Sequence, residues 1–143
     1  MANKARFIEP MLLLRTEKLP EGSDWAYELK LDEYRAIAYK SGKKVFLRSR
    51  NDKDFTLRYT SITNALKDLP DGTVIDGEVV ALDETGRPAF NGLQNYGSAK
   101  APLFYFAFDV MMLEGKNVID EPLSRRRQLL EERVLSQLSE PIR

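Results

Sequence analysis

The chain has 143 residues, 43% hydrophobic and 31% charged, enough for one compact domain with a real core. Its 22 basic and 22 acidic side chains cancel, so no global field draws in nucleic acid, and any such contact must come from local clusters. The absence of cysteine and histidine excludes disulfides, thiolate or imidazole metal sites and histidine acid–base catalysis, so any metal must be held by oxygen, which points to Mg²⁺ or Mn²⁺.

The N-terminus shows no secretory pattern: Met11-Leu12-Leu13-Leu14 is a short apolar patch after Pro10, and no 18-residue apolar run occurs anywhere. The expectation is a cytoplasmic protein with no membrane segment. Residues 27–31 and 34–39 read as strands, and Ser41-Gly42-Lys43 turns the chain into a further strand at 45–48. A helix follows, with Ile62, Ala65, Leu66 and Leu69 at the spacing of a buried stripe and Pro70-Asp71-Gly72 as its stop. Residues 73–82 are β-branched and strand-like, broken at Asp76-Gly77, and Glu84-Thr85-Gly86 turns into residues 88–90. Residues 104–112 form the most apolar strand. After a turn at 113–116, residues 122–138 read as a helix, with Pro122 in its first turn and Leu130, Val134 and Leu138 along one side. Arg125, Arg126 and Arg127 read as the solvated face of that helix, while Lys43, Lys44, Arg48 and Arg50 are the other local cation clusters. Antiparallel strands punctuated by helices, without linkers or repeats, give the α+β class.

One segment carries chemistry. If residues 27–31 are a strand, Tyr27, Leu29 and Leu31 point into a core and Glu28, Lys30 and Asp32 line the opposite face. The simplest reading of that face is a solvated set of cross-strand charge pairs. The alternative is a lysine that acts as a nucleophile, which requires activation because the free amine has a pKa of about 10.4. The neighbouring carboxylates hold such a lysine in place but favour its charged form.

The order Glu28-x-Lys30-x-Asp32-x-x-Arg35 resembles the adenylation signature of ATP-dependent DNA ligases, in which the lysine attacks the α-phosphate of ATP and becomes lysyl-AMP. Three further segments follow in that family's order. Arg48-Ser49-Arg50-Asn51 resembles its Ser-Arg-Asn segment, residues 75–81 with Asp76-Gly77-Glu78 its Asp-Gly-Glu motif, and residues 104–113 with Phe108-Asp109 its Phe-Asp segment. Trp25-Ala26-Tyr27-Glu28 and Gly86-Arg87-Pro88-Ala89-Phe90 are similar to flanks found in the ligase domains of bacterial end-joining enzymes. Taken singly, Arg48 and Arg50 are ordinary cations past a strand end, Asp76-Gly77 a turn or bulge, and Phe104, Phe106 and Phe108 core packing on one strand face. Their joint order carries the resemblance.

The resemblance implies antiparallel sheets flanked by helices around a nucleotide cleft, as part of a DNA ligase/mRNA capping-type nucleotidyltransferase (ATP-grasp-like) domain. By position it makes Lys30 the nucleophile, places Glu28 against the adenine edge, and turns Arg35 and Arg50 toward ribose or phosphate. Glu78 takes the ribose and is the candidate metal ligand, with Asp32 second, and Phe108 stacks on adenine. ATP and Mg²⁺ (or Mn²⁺) are the implied cofactors, nicked or broken double-stranded DNA the substrate, and end-joining proteins and self-association the partnerships to look for. Alternatives within the resemblance are a catalytically incomplete nucleotide- or DNA-binding remnant and an RNA ligase or capping-type enzyme. Two departures stand out. Glu33 replaces the usual glycine, setting a negative charge beside the nucleophile. The later Glu-Gly-x-x-x-Lys and Lys-x-Lys motifs and the oligonucleotide-binding (OB-fold) domain do not appear before Arg143, so the expectation is a truncated homologue or a piece of a ligase.

Overall fold

The sheet is built outward from a central strand that is nearly all buried. The computed structural model describes residues 3–27, 34–83, 85–87 and 102–143. Its strands are β1 (Tyr34–Ser41), β2 (Lys44–Ser49), β3 (Thr73–Ala81), β4 (Leu103–Leu113) and β5 (Lys116–Asn117), and they pair in the order β2-β1-β3-β4-β5 with every contact antiparallel. The β-branched run of β3 explains its central place, because such side chains pack well on a pleated surface closed on both faces. Among the described residues the strands make one five-stranded sheet, which positions the α+β class in a single layer with helices against it.

One face of that sheet is dry. Ala36, Ala38, Ile75, Val79, Tyr105 and Val110 pack there with Ile62, Leu66 and Leu69 from the first helical stretch and with Leu129, Leu130 and Val134 from the last. Each of the Ile, Leu and Val side chains among them contributes about 1.5–3 kcal/mol on burial. The first stretch is α1 (Thr60–Ala65), tightening into a 3₁₀ turn at Leu66–Asp68 that ends where Leu69 becomes extended before Pro70, and Gly72, with a positive φ of 75°, turns the chain into β3. The predicted apolar stripe is thus found where the spacing put it.

The last stretch departs from a uniform helix. It runs as α2 (Leu123–Leu129), widens into a π turn over Leu130–Val134 and closes as a 3₁₀ turn at Leu135–Gln137. Pro122 is the N-cap, and Leu138 lies beyond the helical residues, half-buried. Leu129, Leu130 and Val134 all face the core along this stretch, at the spacing of an apolar helix stripe that the π turn widens without breaking.

The opposite face is divided. At one end Ile37, Val74, Met111 and Met112 are covered by Ala5, Phe7 and Ile8 from the N-terminal segment. At the other end the sheet presents Arg35, Asp76, Glu78 and Phe106. Residues 3–27 have no regular strand or helix, and Met11, Leu12, Leu13 and Leu14 are 61–90% exposed.

Two expectations need correction. Tyr27 does not enter a core: it is exposed, and its hydroxyl donates to the Pro20 carbonyl, so it braces its own irregular segment. Glu28, Leu29, Lys30, Leu31, Asp32 and Glu33, and with them the proposed nucleophile strand, lie outside the described residues, as do Glu84 and residues 88–90. The break expected at Asp76-Gly77 is also absent from β3, which runs unbroken; the irregularity sits on its partner. Gly77 pairs with Ala107 and Asp76 with Asp109, so Phe108 is the extra residue of a bulge in β4.

Candidate nucleotide-binding face

Register decides which motif residues meet. Arg35 on β1 lies opposite Glu78 on β3, and Glu78 lies opposite Phe106 on β4, so the three form one row across the sheet. Asp76 is two residues from Glu78 and therefore shares its face. Four positions from three separate sequence motifs are brought together this way, on strands that β-propensity and alternation specified independently.

Arg35 is the hub of this surface. Its Nε donates to Asp76 Oδ1 at 3.0 Å and its Nη2 to Asp76 Oδ2 at 2.6 Å, a two-pronged grip with fixed orientation. The guanidinium carbon also stands 5.3 Å from the centre of the Phe108 ring, within cation–π range. The Asp76 side chain is only 4% exposed. Burial pushes its carboxyl above the usual range while the Arg35 bonds pull the other way, and Arg35 is itself raised, first by its bond to Asp76. The upward shift of Asp76 reflects the cost of removing a charge from water, not a failed pair: with two bonds to a permanent cation it is a carboxylate at neutral pH.

Phe108 owes its position to the bulge. An extra residue in one strand bends it and re-aims a side chain, and here it leaves the ring half-buried beside Arg35. Phe104 and Phe106, two and four residues earlier, are also half-buried, and the Arg143 guanidinium lies 4.3 Å from the Phe104 ring centre and 5.8 Å from that of Phe106. Arg143 reaches them because its backbone joins the free edge of β4: its N–H donates to the Tyr105 carbonyl at 2.8 Å, and the Ala107 N–H donates to the Arg143 carbonyl at 2.7 Å. The three phenylalanines are therefore neither a sealed core nor an open shelf.

Of the residues expected to bind nucleotide, the structure unites Arg35, Glu78 and Phe108. Arg50 is exposed on the turn that follows β2; the last paired residue, Ser49, faces Ala36, so Arg50 leaves the sheet beside Arg35. Its neighbour Arg48 is engaged with Asp52 at 2.8 Å and Asp54 at 3.9 Å. Glu28, Lys30 and Asp32 lie outside the described residues, immediately before β1 and hence before Arg35. Among the described residues no group of three or more carboxylates is arranged to hold a metal. Asp76 is committed to Arg35, and Glu78, half-buried on the same face, is the carboxylate that the resemblance offers to a divalent ion. One carboxylate fits Mg²⁺ or Mn²⁺ carried in with phosphates, which keeps most of its oxygens from water and nucleotide.

Two residues were missed in the sequence. Local sequence presents Asp76 as part of a turn or bulge, and a bulge does fall at this step of the ladder, but a charged residue inside the apolar run Val74-Ile75-Asp76 also needs a buried partner, and that is the available signal. Arg126 was assigned to a solvated helix face. Instead its side chain is 14% exposed and holds Asp109 through Nε at 2.8 Å and Nη2 at 3.2 Å, with Nη1 on the Glu121 carbonyl. Nothing in the helical spacing marks the middle arginine of three as the one that turns inward.

A cavity of ≈ 690 Å³ lies elsewhere, between Asn3, the β4–β5 turn and α2, and none of the face residues lines it.

Comparison with known proteins agrees with the motif order. Residues 10–142 match the family model described as the ATP dependent DNA ligase domain. The chain is 38% identical over 140 residues to the multifunctional non-homologous end joining protein LigD of Pseudomonas aeruginosa, covering 96% of this chain and 16% of that protein. It is 33% identical to DNA ligase C1 of Mycolicibacterium smegmatis, covering 89% of this chain and 41% of the relative. Its fold is similar to that of a mycobacterial DNA ligase D solved in complex with ATP and MES, with a TM-score of 0.67 at 32% identity over 80% of this chain and 38% of the other. The chain thus spans less than half the length of each of these proteins.

Proposed function

This chain belongs to the ATP-dependent DNA ligase domain family, and from that premise we propose that it carries an adenylation site in which Lys30 is the nucleophile. The neutral Lys30 amine attacks the α-phosphorus of ATP, a nitrogen–phosphorus bond forms, the bond to the bridging oxygen breaks, and pyrophosphate leaves. The amine loses its proton to solvent or to a neighbouring carboxylate. What supports this reading most is the convergence of Arg35, Asp76, Glu78 and Phe108 on one sheet face directly after the lysine segment.

On that face the residues divide the work. Phe108 offers an aromatic surface to adenine, Glu78 a carboxylate to ribose, and Glu28 an acceptor for the adenine edge. Arg35 and Arg50 supply fixed positive charge toward ribose and the phosphates, where negative charge builds up during transfer. Glu78 is the residue that would hold a divalent ion, with Asp32 second, and such an ion would supply further neutralisation of phosphate charge.

The AMP acceptor consistent with this family is the 5′-phosphate of nicked or broken double-stranded DNA, and the end-joining role named for the Pseudomonas relative makes end-joining proteins the fitting partners. Such work belongs in the cytoplasm; among the described residues no helix is long and apolar enough to cross a membrane. The exposed side chains Met11, Leu12, Leu13 and Leu14 support self-association as a further property.

Mass spectrometry after incubation with ATP and Mg²⁺ tests the proposal. The expected result is a covalent AMP on Lys30 that disappears in Lys30→Ala and does not form from GTP. Adduct on another lysine overturns the assignment of the nucleophile, and preference for GTP moves the chain to capping-type chemistry.

A further inference from the structure

Two carboxylates face each other across the centre of the sheet. Asp76 on β3 is the register partner of Asp109 on β4, and the Asp109 charge adds to the cost of ionising the buried Asp76. Two guanidiniums resolve the conflict from different directions. Arg35 holds Asp76 from β1 with bonds of 3.0 and 2.6 Å, and Arg126 holds Asp109 from α2 with bonds of 2.8 and 3.2 Å. Between them sits the β4 bulge, whose extra residue, Phe108, immediately precedes Asp109 and packs under Arg35 at 5.3 Å.

We propose that Arg126 is a positioning residue for the nucleotide-binding face: by neutralising Asp109 from α2, it leaves Arg35 bound to Asp76 and stacked on Phe108, and so sets the geometry that nucleotide meets. The alternative partner explains why. Without Arg126, Asp109 stands across the register from an acid whose own guanidinium, Arg35, is the cation already at hand, and a guanidinium with five donors is drawn to a position shared between two acids. That movement takes it off the Phe108 ring and releases the bulge that aims the ring. The Arg126 Nη1 bond to the Glu121 carbonyl at 2.6 Å anchors the same side chain to the start of α2, so the docking of the helix and the setting of the face are one event. The consequence for nucleotide rests on the adenylation reading, whereas the consequence for Arg35 and Phe108 does not.

The test uses Arg126→Gln alone and combined with Asp109→Asn. The Nε–H resonance of Arg35, which feels the Phe108 ring current, is followed by NMR without nucleotide, and the dissociation constant for ATP is measured beside it. Arg126→Gln is expected to shift the Arg35 resonance and weaken ATP binding about tenfold, while the double variant returns both most of the way because the facing charge is gone. An unmoved Arg35 resonance in Arg126→Gln overturns the proposal. So does a shift that persists in the double variant, since a mere clasp for the helix is not repaired by removing its second half. If Arg126→Gln does not fold, recovery of folding in the double variant is the expected result and continued failure overturns the idea. A wild-type chain that binds no ATP, with the Arg35 shift and its reversal intact, refutes the adenylation reading and leaves the coupling standing.

Discussion

Tyr105 passes beneath Gly77. From β4 its hydroxyl crosses under β3 and donates a 2.8 Å hydrogen bond to the Ala36 carbonyl on β1, and it does so where Ala36, Gly77 and Ala107 form a row of small residues across the sheet. A Cβ on Gly77 would stand 2.7 Å from the Tyr105 ring carbon and 2.9 Å from its oxygen, and would also collide with the Phe106 carbonyl. The glycine of the Asp-Gly-Glu motif is therefore required by close approach, not by a turn.

Gly77→Ala is accordingly expected to destabilise the fold by about 3 kcal/mol, at the upper end of overpacking effects, since one of the colliding atoms is backbone and cannot rotate away. Urea denaturation of both proteins measures this. A loss near zero would mean that Tyr105 can leave its track at no cost.

Tyr105 also predicts an alkaline limit. Full burial, with the Asp76 charge next in importance, holds its hydroxyl well above the usual value, so the folded chain keeps a proton that the unfolded chain releases near pH 10. Its contribution is complete below that pH and is lost as pH rises, at up to about 1.4 kcal/mol per unit. Tyr105→Phe should cost about 1 kcal/mol at neutral pH through the lost hydrogen bond, yet flatten the decline between pH 10 and 11. Parallel denaturation curves across that range check both halves.

Arg35→Gln should be more damaging than its half-buried position suggests, because it strands the Asp76 carboxylate, 4% exposed, opposite Asp109. A loss of about 3 kcal/mol at pH 7 is expected. The penalty exists only while Asp76 is ionised, and its folded pKa is already raised, so the loss shrinks as pH falls and the carboxyl protonates. Adding Asp76→Asn should recover most of the stability at pH 7; no recovery would mean that Arg35 stabilises through its packing on Phe108.

Phe108→Leu separates binding from folding. Its ring is half-buried at a bulge, so the substitution should change the unfolding midpoint little, while weakening ATP binding about tenfold through loss of the aromatic surface. Calorimetric titration with ATP and thermal unfolding on the same preparation decide it.

Glu33→Gly addresses the departure from the family signature. The resemblance sets position 33 beside the triphosphate path, where a carboxylate would repel nucleotide in a poorly screened site, so its removal should speed AMP transfer to Lys30. An unchanged rate places that side chain away from the path.

Much of this was legible before any fold was known. Alternation and β-branching locate β1 to β4 and the 3.6-residue stripe of Ile62, Leu66 and Leu69 locates the first helix, because each depends on residue types at short, local spacing, while adenylation chemistry is legible through the resemblance of four ordered motifs to the ligase signature. What the chain could not reveal by itself was pairing at a distance. That Asp76 answers Arg35, 41 residues away, that Arg126 turns inward to Asp109, that Phe108 is a bulge residue and that Gly77 makes room for Tyr105 all follow from strand order and register. Those are set by the sum of contacts across β1, β3, β4 and α2, and a buried charge or a missing Cβ shows its reason only once its neighbours from elsewhere in the chain are in place.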